Sequence, residues 1–324
     1  MNDCANLAGR FQQCVARDRT SGRLSHDWLV AWPSGDQHKH TLPLADSFRQ
    51  LDDLRNYVRR WNDVVRPAYR SFREEDIQTS WEVTREMYRR FEITPQRGVT
   101  LDRPTPLDHY NAEDHFFQTL YPQPDRYRFR HVLDFGAGFG RMAHYWAKAE
   151  PGSVYCAVDA VERSYCVQHL YLSALAEMRG LTYLDYIDDP DSIAVEQGII
   201  HLPTWLLSGL PDKCIDLVLC CHVLPEISTE LLRYVIEQFA RVLVDGGTLY
   251  VRDHDKEHMP GHGCVDTEQL LRNAGFVLEF RPYLADGIDT WSIPRVWRKI
   301  DADIPTRSVS QAGLDNWARL NPPG

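Results

Sequence analysis

The sequence predicts an α/β protein: a doubly wound, mostly parallel sheet with a helical N-terminal extension. From residue 131 onwards, short apolar runs alternate with segments of helical length and with turns rich in glycine. Before residue 125, apolar side chains recur at three- and four-residue steps, which is typical of helices. We therefore expect a helical region over residues 1–125, a sheet domain over 126–300 and a C-terminal arm over 301–324.

The composition is that of a folded protein, and its charge argues against some partners. The chain has 324 residues, 43% of them hydrophobic, and a formal net charge of −10. This balance argues against nucleic acid, because nucleic-acid phosphates are bound by positively charged surfaces. No apolar run has the length of a membrane span or a secretory signal, and the eight cysteines form no C-x-x-C pair. These features favour a cytoplasmic protein without a membrane partner.

The N-terminal region is predicted to consist of helices joined by polar or proline-rich segments. One short helix is expected over residues 6–17, and a longer helical stretch over 44–92 breaks at Pro67. Prolines mark residues 93–107 as a linker. A short helix follows at 108–117, where polar and aromatic side chains are dense. We interpret the aromatic residues of the long stretch as helix-packing core, with a lid or dimerisation arm as the alternative.

The sheet domain is predicted from seven apolar segments and four helical ones. The expected strands are 131–135, 154–159, 183–187, 198–201, 215–221, 247–252 and 276–281. The expected helices are 141–149, 164–178, 230–242 and 267–273. A turn is predicted at Asp245-Gly246-Gly247, and residues 181–201 are expected to hold short strands around an insertion.

The first strand leads into a glycine-rich turn, and this turn predicts a nucleotide-type cofactor. Gly136, Gly138 and Gly140 follow the strand directly, and a helix follows them. Glycines let the backbone approach a ligand closely, and the start of a helix offers unpaired N–H groups. Asp159 ends the second strand, where its carboxylate can accept hydrogen bonds from ribose hydroxyls. The expected architecture is therefore Rossmann-like.

The spacing of these glycines bears on which cofactor is bound. Dinucleotide-binding proteins use G-x-G-x-x-G, whereas this turn reads G-x-G-x-G, with its third glycine one residue earlier. The strand also carries an acid, Asp134, two residues before the first glycine. The glycine spacing and the Asp245-Gly246-Gly247 turn argue against an NAD-dependent oxidoreductase, which is the competing enzyme class.

Four motifs in order resemble those of the class I S-adenosylmethionine-dependent methyltransferases. They are the glycine turn at 133–140, the acidic strand end at Val158-Asp159, the strand 214–224 and the turn at 243–249. The resemblance covers residues 131–281, about half of the chain. It implies S-adenosylmethionine as cofactor and S-adenosylhomocysteine as product.

The resemblance also implies roles for individual residues by their positions in these motifs. The loop near the methionine part of the cofactor would be shaped by Asp134, Gly136, Ala137, Gly138 and Gly140. Asp159 and Ala160 would hold the ribose, Thr204 and Trp205 would flank the adenine, and Cys221 and His222 would lie near the sulfonium.

A narrower resemblance concerns the acceptor of the methyl group. Asp108-His109-Tyr110-Asn111, upstream of the glycine turn, is similar to a segment of bacterial sugar O-methyltransferases. Of the functions related to this resemblance, we favour that of an aminoglycoside N-methyltransferase, such as that of gentamicin biosynthesis. The expected partner is a small amino sugar or glycoside, and a homodimer is left open. Metal-assisted O-methylation and a cofactor-binding protein without catalysis are the alternatives.

Polar residues after two strands are the candidates for catalysis, because reactive groups of this fold lie at the carboxyl edge of the sheet. We predict His254 as the general base, with Asp253 or Asp255 orienting it or holding the acceptor. Glu226, Asp255 and His258 are predicted to bind the acceptor, and Tyr110, His115 and Trp291 to form walls or a lid. The loop that carries His254, Asp255 and His258 could also gather a divalent ion, which we do not favour, or be an ordinary surface loop.

Overall fold

The computed structural model describes residues 4–24, 50–64, 73–95, 99–119, 129–224, 227, 229–253, 267–281 and 293–300. Within these ranges the helices are α1 (Cys4–Thr20), α2 (Leu51–Val64), α3 (Glu74–Arg90), α4 (Pro106–Gln118), α5 (Ala143–Trp146), α6 (Glu162–Arg179), α7 (Thr229–Val242) and α8 (Thr267–Asn273). The strands are β1 (His131–Phe135), β2 (Val154–Asp159), β3 (Tyr183–Asp185), β4 (Gly198–Pro203), β5 (Ile215–Cys221), β6 (Leu243–Asp253), β7 (Phe276–Phe280) and β8 (Ile293–Lys299).

The strands form one mixed sheet in the order β3-β4-β2-β1-β5-β6-β8-β7. β1 to β6 run parallel to their neighbours, and β8 is antiparallel to both β6 and β7. The chain places β2, β3 and β4 on one side of β1, with β4 between β2 and β3, and then returns to place β5 on the other side of β1. Ligands of such sheets bind beyond the carboxyl ends of the strands where the order reverses, here at β1 and β5. The predicted α/β fold with a mostly parallel sheet is confirmed.

The central strands are buried along most of their length because both faces of the sheet are covered. β2 and β4 are buried at every residue. One core cluster joins the sheet to α2, α3, α4 and α6, and a second joins it to α1 and α7. The N-terminal helices therefore pack directly on the sheet and its helices. None of the helices in the described ranges is long and apolar enough to cross a membrane.

Helix α4 has a fixed orientation because its first turn is anchored twice. Thr105 and Asp108 form a capping box, in which the Asp108 carboxylate accepts the Thr105 N–H at 2.7 Å. The same carboxylate accepts hydrogen bonds from Ser80 at 2.9 Å and Thr84 at 2.7 Å, both on α3. These contacts hold α4 on α3 and so determine which of its side chains reach the edge of the sheet.

Three elements differ from the sequence-based expectation. The helix expected over 141–149 is limited to α5, because Ala147 is already extended and Pro151 follows. The turn expected at Asp245–Gly247 lies inside β6, where the pairing with β5 shifts register. Strand β8 was not expected, because its second residue is Pro294 and a proline argues against a central strand. The predicted C-terminal arm, 301–324, lies outside the described residues.

Candidate functional site

The turn between β1 and α5 contains three glycines with positive φ: Gly136 at +67°, Gly138 at +64° and Gly140 at +83°. A Cβ at Gly136 would collide with Val223, and one at Gly140 would lie 2.6 Å from Leu172 Cδ2. These two glycines thus allow close packing within the protein. Gly138 differs from them, because a Cβ there would have no protein atom closer than 3.8 Å. The open side of the turn is therefore at Gly138.

Helix α2 faces this open side of the turn. The nearest atoms to a Cβ at Gly138 would be Tyr57 Oη at 3.8 Å and Trp61 Cζ2 at 3.9 Å. Arg163 of α6 forms an ion pair with Asp53 of α2 at 3.1 Å, which ties the start of α2 to the sheet domain. A ligand bound against the glycine turn would therefore be covered by the aromatic side chains of α2.

Asp159 ends β2, the strand next to the glycine turn, and it is only 7% exposed. Its Oδ1 accepts the Val161 N–H at 3.0 Å, and its Oδ2 accepts the Gln168 side-chain amide at 2.8 Å. Burial raises the pKa of Asp159 to about 7, against the effect of these hydrogen bonds. Asp134 of β1 accepts a hydrogen bond from the Tyr155 hydroxyl, and burial raises its pKa to about 6.

His222 follows β5 directly, at the carboxyl edge of the sheet, with a φ of +60°. Its Nε2 lies 2.8 Å from the Tyr110 hydroxyl of α4, and its backbone N–H donates to the Arg252 carbonyl at 2.7 Å. Left-handed backbone is uncommon for residues other than glycine and tends to mark functional positions. The Trp61 ring centroid is 6.5 Å from that of His222. The half-buried imidazole is therefore next to the glycine turn and under α2.

The Tyr110 ring lies between two guanidinium groups. The Arg252 Cζ is 4.1 Å from the ring centroid, and the Arg141 Cζ is 5.0 Å from it. Both arginines bind carboxylates one turn further along α4: Arg252 binds Glu113 and Asp114, and Arg141 binds Asp114. The Arg252 side chain is fully buried. We call these five residues the Tyr110 network.

The charges of the Tyr110 network cancel, since two carboxylates face two guanidiniums. Burial alone would raise the pKa of Asp114, but the charges of Arg252 and Arg141 outweigh it and lower this pKa to about 2. The Tyr250 hydroxyl also donates to Asp114. The network therefore holds Tyr110 rigidly without presenting a net charge to an acceptor.

Asp253, predicted to assist the base, is the last residue of β6 and is 4% exposed. Successive side chains of a strand point to opposite faces, so Asp253 points away from the face on which Arg252 meets Tyr110. Burial raises the pKa of Asp253 to about 8, and the backbone N–H groups of residues 222–224 face its carboxylate. Its predicted partner His254 lies outside the described residues, as do Glu226, Asp255, His258 and Trp291.

His115, predicted as a wall of the acceptor site, is placed elsewhere on α4. Its ring stacks on Tyr145 with centroids 4.1 Å apart, and its Nδ1 lies 3.0 Å from Asp76 of α3. Five residues along a helix are about 1.4 turns, which leaves the two side chains about 140° apart around the helix axis, so His115 and Tyr110 face different neighbours. The structure therefore brings Tyr110, but not His115, to His222.

The remaining predicted cofactor residues fall into two groups. Ala137, Ala160 and Cys221 lie at the ends of β1, β2 and β5, on the same edge as the glycine turn. Thr204 and Trp205 follow β4 and are buried, with the indole N–H of Trp205 donating to Asp18 of α1 at 2.8 Å. What the structure shows of Trp205 is thus a packing contact with α1, and its predicted contact with adenine stays a prediction.

The residues that sequence reasoning missed are Glu113, Asp114, Arg141, Gln168 and the α2 aromatics Tyr57 and Trp61. Part of the signal was present, since Tyr110, Glu113 and Asp114 have the spacing that puts three residues on one helix face. The arginines that pair with them lie on other elements, so the sequence alone did not connect them.

Comparison with known proteins identifies the chemistry of this edge. Residues 133–251 match the family model described as a methyltransferase domain. The chain carries a methyltransferase domain. The matched segment begins within β1, ends within β6 at Val251, and includes Asp159 and His222. No curated protein matches the sequence of the chain significantly.

Solved methyltransferase structures show distant similarity. An N-methyltransferase, NodS, from Bradyrhizobium japonicum is 13% identical over 60% of this chain and 89% of its own, with a TM-score of 0.42. A 1,6-didemethyltoxoflavin-N1-methyltransferase from Burkholderia thailandensis is 20% identical over 52% and 71%, with a TM-score of 0.37. A methyltransferase from Methanosarcina mazei is 15% identical over 56% and 98%, with a TM-score of 0.38. At these TM-scores the neighbours add nothing to what the topology shows.

S-adenosylmethionine is the cofactor of the methyltransferase domain, and the residues present fit it. The backbone of the turn at Gly138 faces the side chains of Tyr57 and Trp61 rather than the protein core, and the buried Asp159 carboxylate offers acceptor oxygens to ribose hydroxyls. Cys221 and His222 continue from β5 on the same edge. The cofactor supplies a methyl group on a sulfonium, which a nucleophile attacks in line.

Proposed function

We propose that the enzyme transfers the methyl group of S-adenosylmethionine to an amino group of an aminoglycoside-like amino sugar, in the biosynthesis of an antibiotic. The observation that carries the proposal is the pairing of Tyr110 Oη with His222 Nε2 at 2.8 Å, beside the glycine turn. In the reaction, the amine nitrogen forms a bond to the methyl carbon while the bond from that carbon to sulfur breaks. The products are a methylated ammonium group and S-adenosylhomocysteine.

The proton balance of this reaction gives the Tyr110–His222 pair its role. An amine attacks only in its neutral form, so an ammonium group has to lose a proton before the transfer. Imidazole accepts a proton near neutral pH more readily than a phenol does, so the proton ends on His222. Tyr110 fixes the direction of the ring, and the Tyr110 network fixes Tyr110. Alignment of the nucleophile with the methyl carbon supplies most of the remaining acceleration.

The aromatic cover of the site supports a sugar as the acceptor. Tyr57 and Trp61 are half-buried over the glycine turn. Flat aromatic faces combine apolar surface with polar edges, which suits the alternating faces and hydroxyls of a sugar ring. The positively charged amine finds the faces of these two rings favourable.

The proposal is tested by incubating the wild-type enzyme and S-adenosylmethionine with a panel of aminoglycosides and neutral glycosides, with Mg²⁺ or with a chelator. We expect a mass gain of one methyl on an amino nitrogen, independent of the chelator. A methyl on a hydroxyl, formed only with Mg²⁺, would replace this proposal with the metal-assisted O-methyltransferase.

The role of the pair is tested with His222→Asn, because asparagine tolerates the left-handed backbone of this position. We expect turnover to fall by roughly a hundredfold or more, since a general base contributes about 10²–10⁴. Affinity for S-adenosylhomocysteine should stay close to that of the wild type. The matched control is His109→Asn on α4, which should leave turnover unchanged. Equal turnover in His222→Asn and the control would remove His222 from the mechanism.

A further inference from the structure

A chain of buried and half-buried polar side chains lies behind the ribose-binding edge, between α6 and the strands β3 and β4. Its members are Gln168 and His169 of α6, Tyr183 and Asp185 of β3, and His201 of β4. Gln168 and His201 are fully buried. The methyl-transfer mechanism uses none of these residues, so their arrangement calls for a separate explanation.

The hydrogen bonds of Gln168 determine how its amide is oriented. One edge of the amide faces two acceptors, the Gly138 carbonyl at 3.0 Å and Asp159 Oδ2 at 2.8 Å. Two acceptors require the NH₂ group on that side, since only this group can donate twice. The amide oxygen therefore points the other way, towards His201 Nε2 at 3.1 Å. Gln168 thus links the glycine turn to the cofactor-binding acid.

The tautomer of His201 follows from the same matching of hydrogen-bond donors to acceptors. Its Nε2 faces the Gln168 oxygen and has to carry the proton, so its Nδ1 is an acceptor. The Tyr183 hydroxyl, 2.9 Å from Nδ1, donates to it. Tyr183 is also 3.1 Å from His169 Nδ1, which in turn lies 2.8 Å from Asp185 Oδ2. The single hydrogen on His169 Nδ1 is donated to Asp185, and the Tyr183 oxygen, at the longer distance, is a second and weaker acceptor of it.

We propose that Gln168 is a positioning residue for cofactor binding, and that the series Asp185–His169–Tyr183–His201 holds its amide in the required orientation. Gln168 acts through Asp159 and Gly138, which contact the ribose and methionine sides of the cofactor. The inference rests on the methyltransferase function of the site and concerns residues outside the family's glycine and acid motifs.

The arrangement has a consequence for the charge of Asp159. Burial raises the pKa of this carboxyl to about 7, and the hydrogen bond from Gln168 works in the opposite direction. An ionised carboxylate offers all its oxygen lone pairs to ribose hydroxyls, whereas a protonated one has lost an acceptor. Burial lowers the pKa of His201 to about 3, so the imidazole stays neutral and the series stays intact at physiological pH.

Three of these residues, His169, Asp185 and His201, are of types that commonly bind metal ions. The experiment therefore has to distinguish a metal site from a hydrogen-bonded series. One ligand atom each from His169, Asp185 and His201 lies within 4.8 Å of the others. In the structure, each of these side chains is hydrogen-bonded to another side chain of the series. Direct hydrogen bonds therefore account for the positions of all three.

The experiment measures the affinity of the full chain for S-adenosylhomocysteine by titration calorimetry between pH 6 and 9. In Gln168→Met we expect the dissociation constant to rise roughly tenfold or more at pH 7.5, as for loss of a hydrogen bond to a charged group. The pH at which half of the affinity is lost should also move upwards, because Asp159 loses a donor. Tyr183→Phe, which removes only a hydroxyl, should give a smaller change in the same direction.

The matched control is Gln118→Met, which removes a buried glutamine that binds Trp146 rather than the cofactor edge. It should lower the melting temperature without changing the affinity or its pH dependence. An unchanged pH profile in both Gln168→Met and Tyr183→Phe would overturn the inference, as would stabilisation of the wild type by Zn²⁺ that His201→Asn abolishes. Failure to methylate any amino sugar, with this pH shift present, would count against the proposed acceptor alone.

Discussion

Arg252 is the residue whose surroundings differ most from those of an ordinary arginine. It is fully buried, binds Glu113 and Asp114, and covers one face of Tyr110. Taking an ion pair out of water costs free energy, and removing one partner leaves the other charge uncompensated. The Tyr110 network therefore positions Tyr110 against His222 more than it raises the free energy of unfolding.

We expect Arg252→Met to lower the free energy of unfolding by about 3–5 kcal/mol, because two buried carboxylates lose their main partner. Urea unfolding measures this change. The control is Arg89→Met, which breaks an exposed pair with Glu86 and should have little effect. Similar losses in the two variants would mean that the Tyr110 network is as solvated as the surface.

At the residue scale, sequence reasoning succeeded where a motif is local. The three glycines and Asp159 were predicted from short segments, and the structure places them together at one edge of the sheet. It failed where the partners are distant in sequence, as for Glu113 and Arg252, which meet only after the sheet has formed. The Tyr110–His222 pair combines two such distant segments.

Helix α2 is the element that links the N-terminal region to the cofactor edge. Its side chains Tyr57 and Trp61 face Gly138, and Asp53 binds Arg163. α2 is also held by its buried side chains Leu54 and Val58, and by the hydrogen bond from Asn62 to the Tyr88 hydroxyl of α3. A ligand bound beneath Tyr57 and Trp61 would contact this helix directly.

We expect S-adenosylhomocysteine to slow backbone hydrogen exchange in α2, because the ligand fills the space between the glycine turn and the aromatic side chains. Exchange followed by mass spectrometry measures this effect. α7, which packs in the core cluster that excludes α2, serves as the internal control and should not change. Protection of α2 that persists in Trp61→Ala would show that the aromatic contact is not its cause.

At the element scale, the agreement between the predicted and the observed strands depended on proline and glycine residues. Buried apolar runs predicted β1, β2 and β5 with the bounds that the structure has. Strand β8 was not predicted, because Pro294 lacks the backbone N–H hydrogen-bond donor that a central strand normally uses. The Gly246-Gly247 pair indicated a turn, whereas the structure accommodates the glycines within β6 by a register shift.

The buried acids give the whole molecule an unusual pH dependence. Burial raises the pKa of Asp159 to about 7 and that of Asp253 to about 8, so the folded chain binds protons that the unfolded chain has released. Their contribution to stability is full below the unfolded pKa and is lost as the pH rises to the folded pKa. His201 has the opposite slope, but only below the ordinary histidine pKa of about 6.5.

Between pH 6.5 and 8 we therefore expect the free energy of unfolding of the ligand-free chain to fall as pH rises. Asp253→Asn should remove the contribution of Asp253 to the change of unfolding free energy with pH, which is at most about 1.4 kcal/mol per pH unit. Urea unfolding at a series of pH values measures the pH dependence of the wild type and of the Asp253→Asn variant. A wild-type curve that rises over this interval, or an Asp253→Asn curve parallel to it, would mean that Asp253 is ionised in the folded protein.

The cancelled charges of the Tyr110 network also constrain how the enzyme can be altered. Any one of Glu113, Asp114, Arg141 and Arg252 can be exchanged only together with an opposite change in a partner. Laboratory evolution towards a new acceptor should therefore leave these four positions unchanged. It should accumulate substitutions at Tyr57 and Trp61, whose half-buried rings are uncharged and lie over the glycine turn.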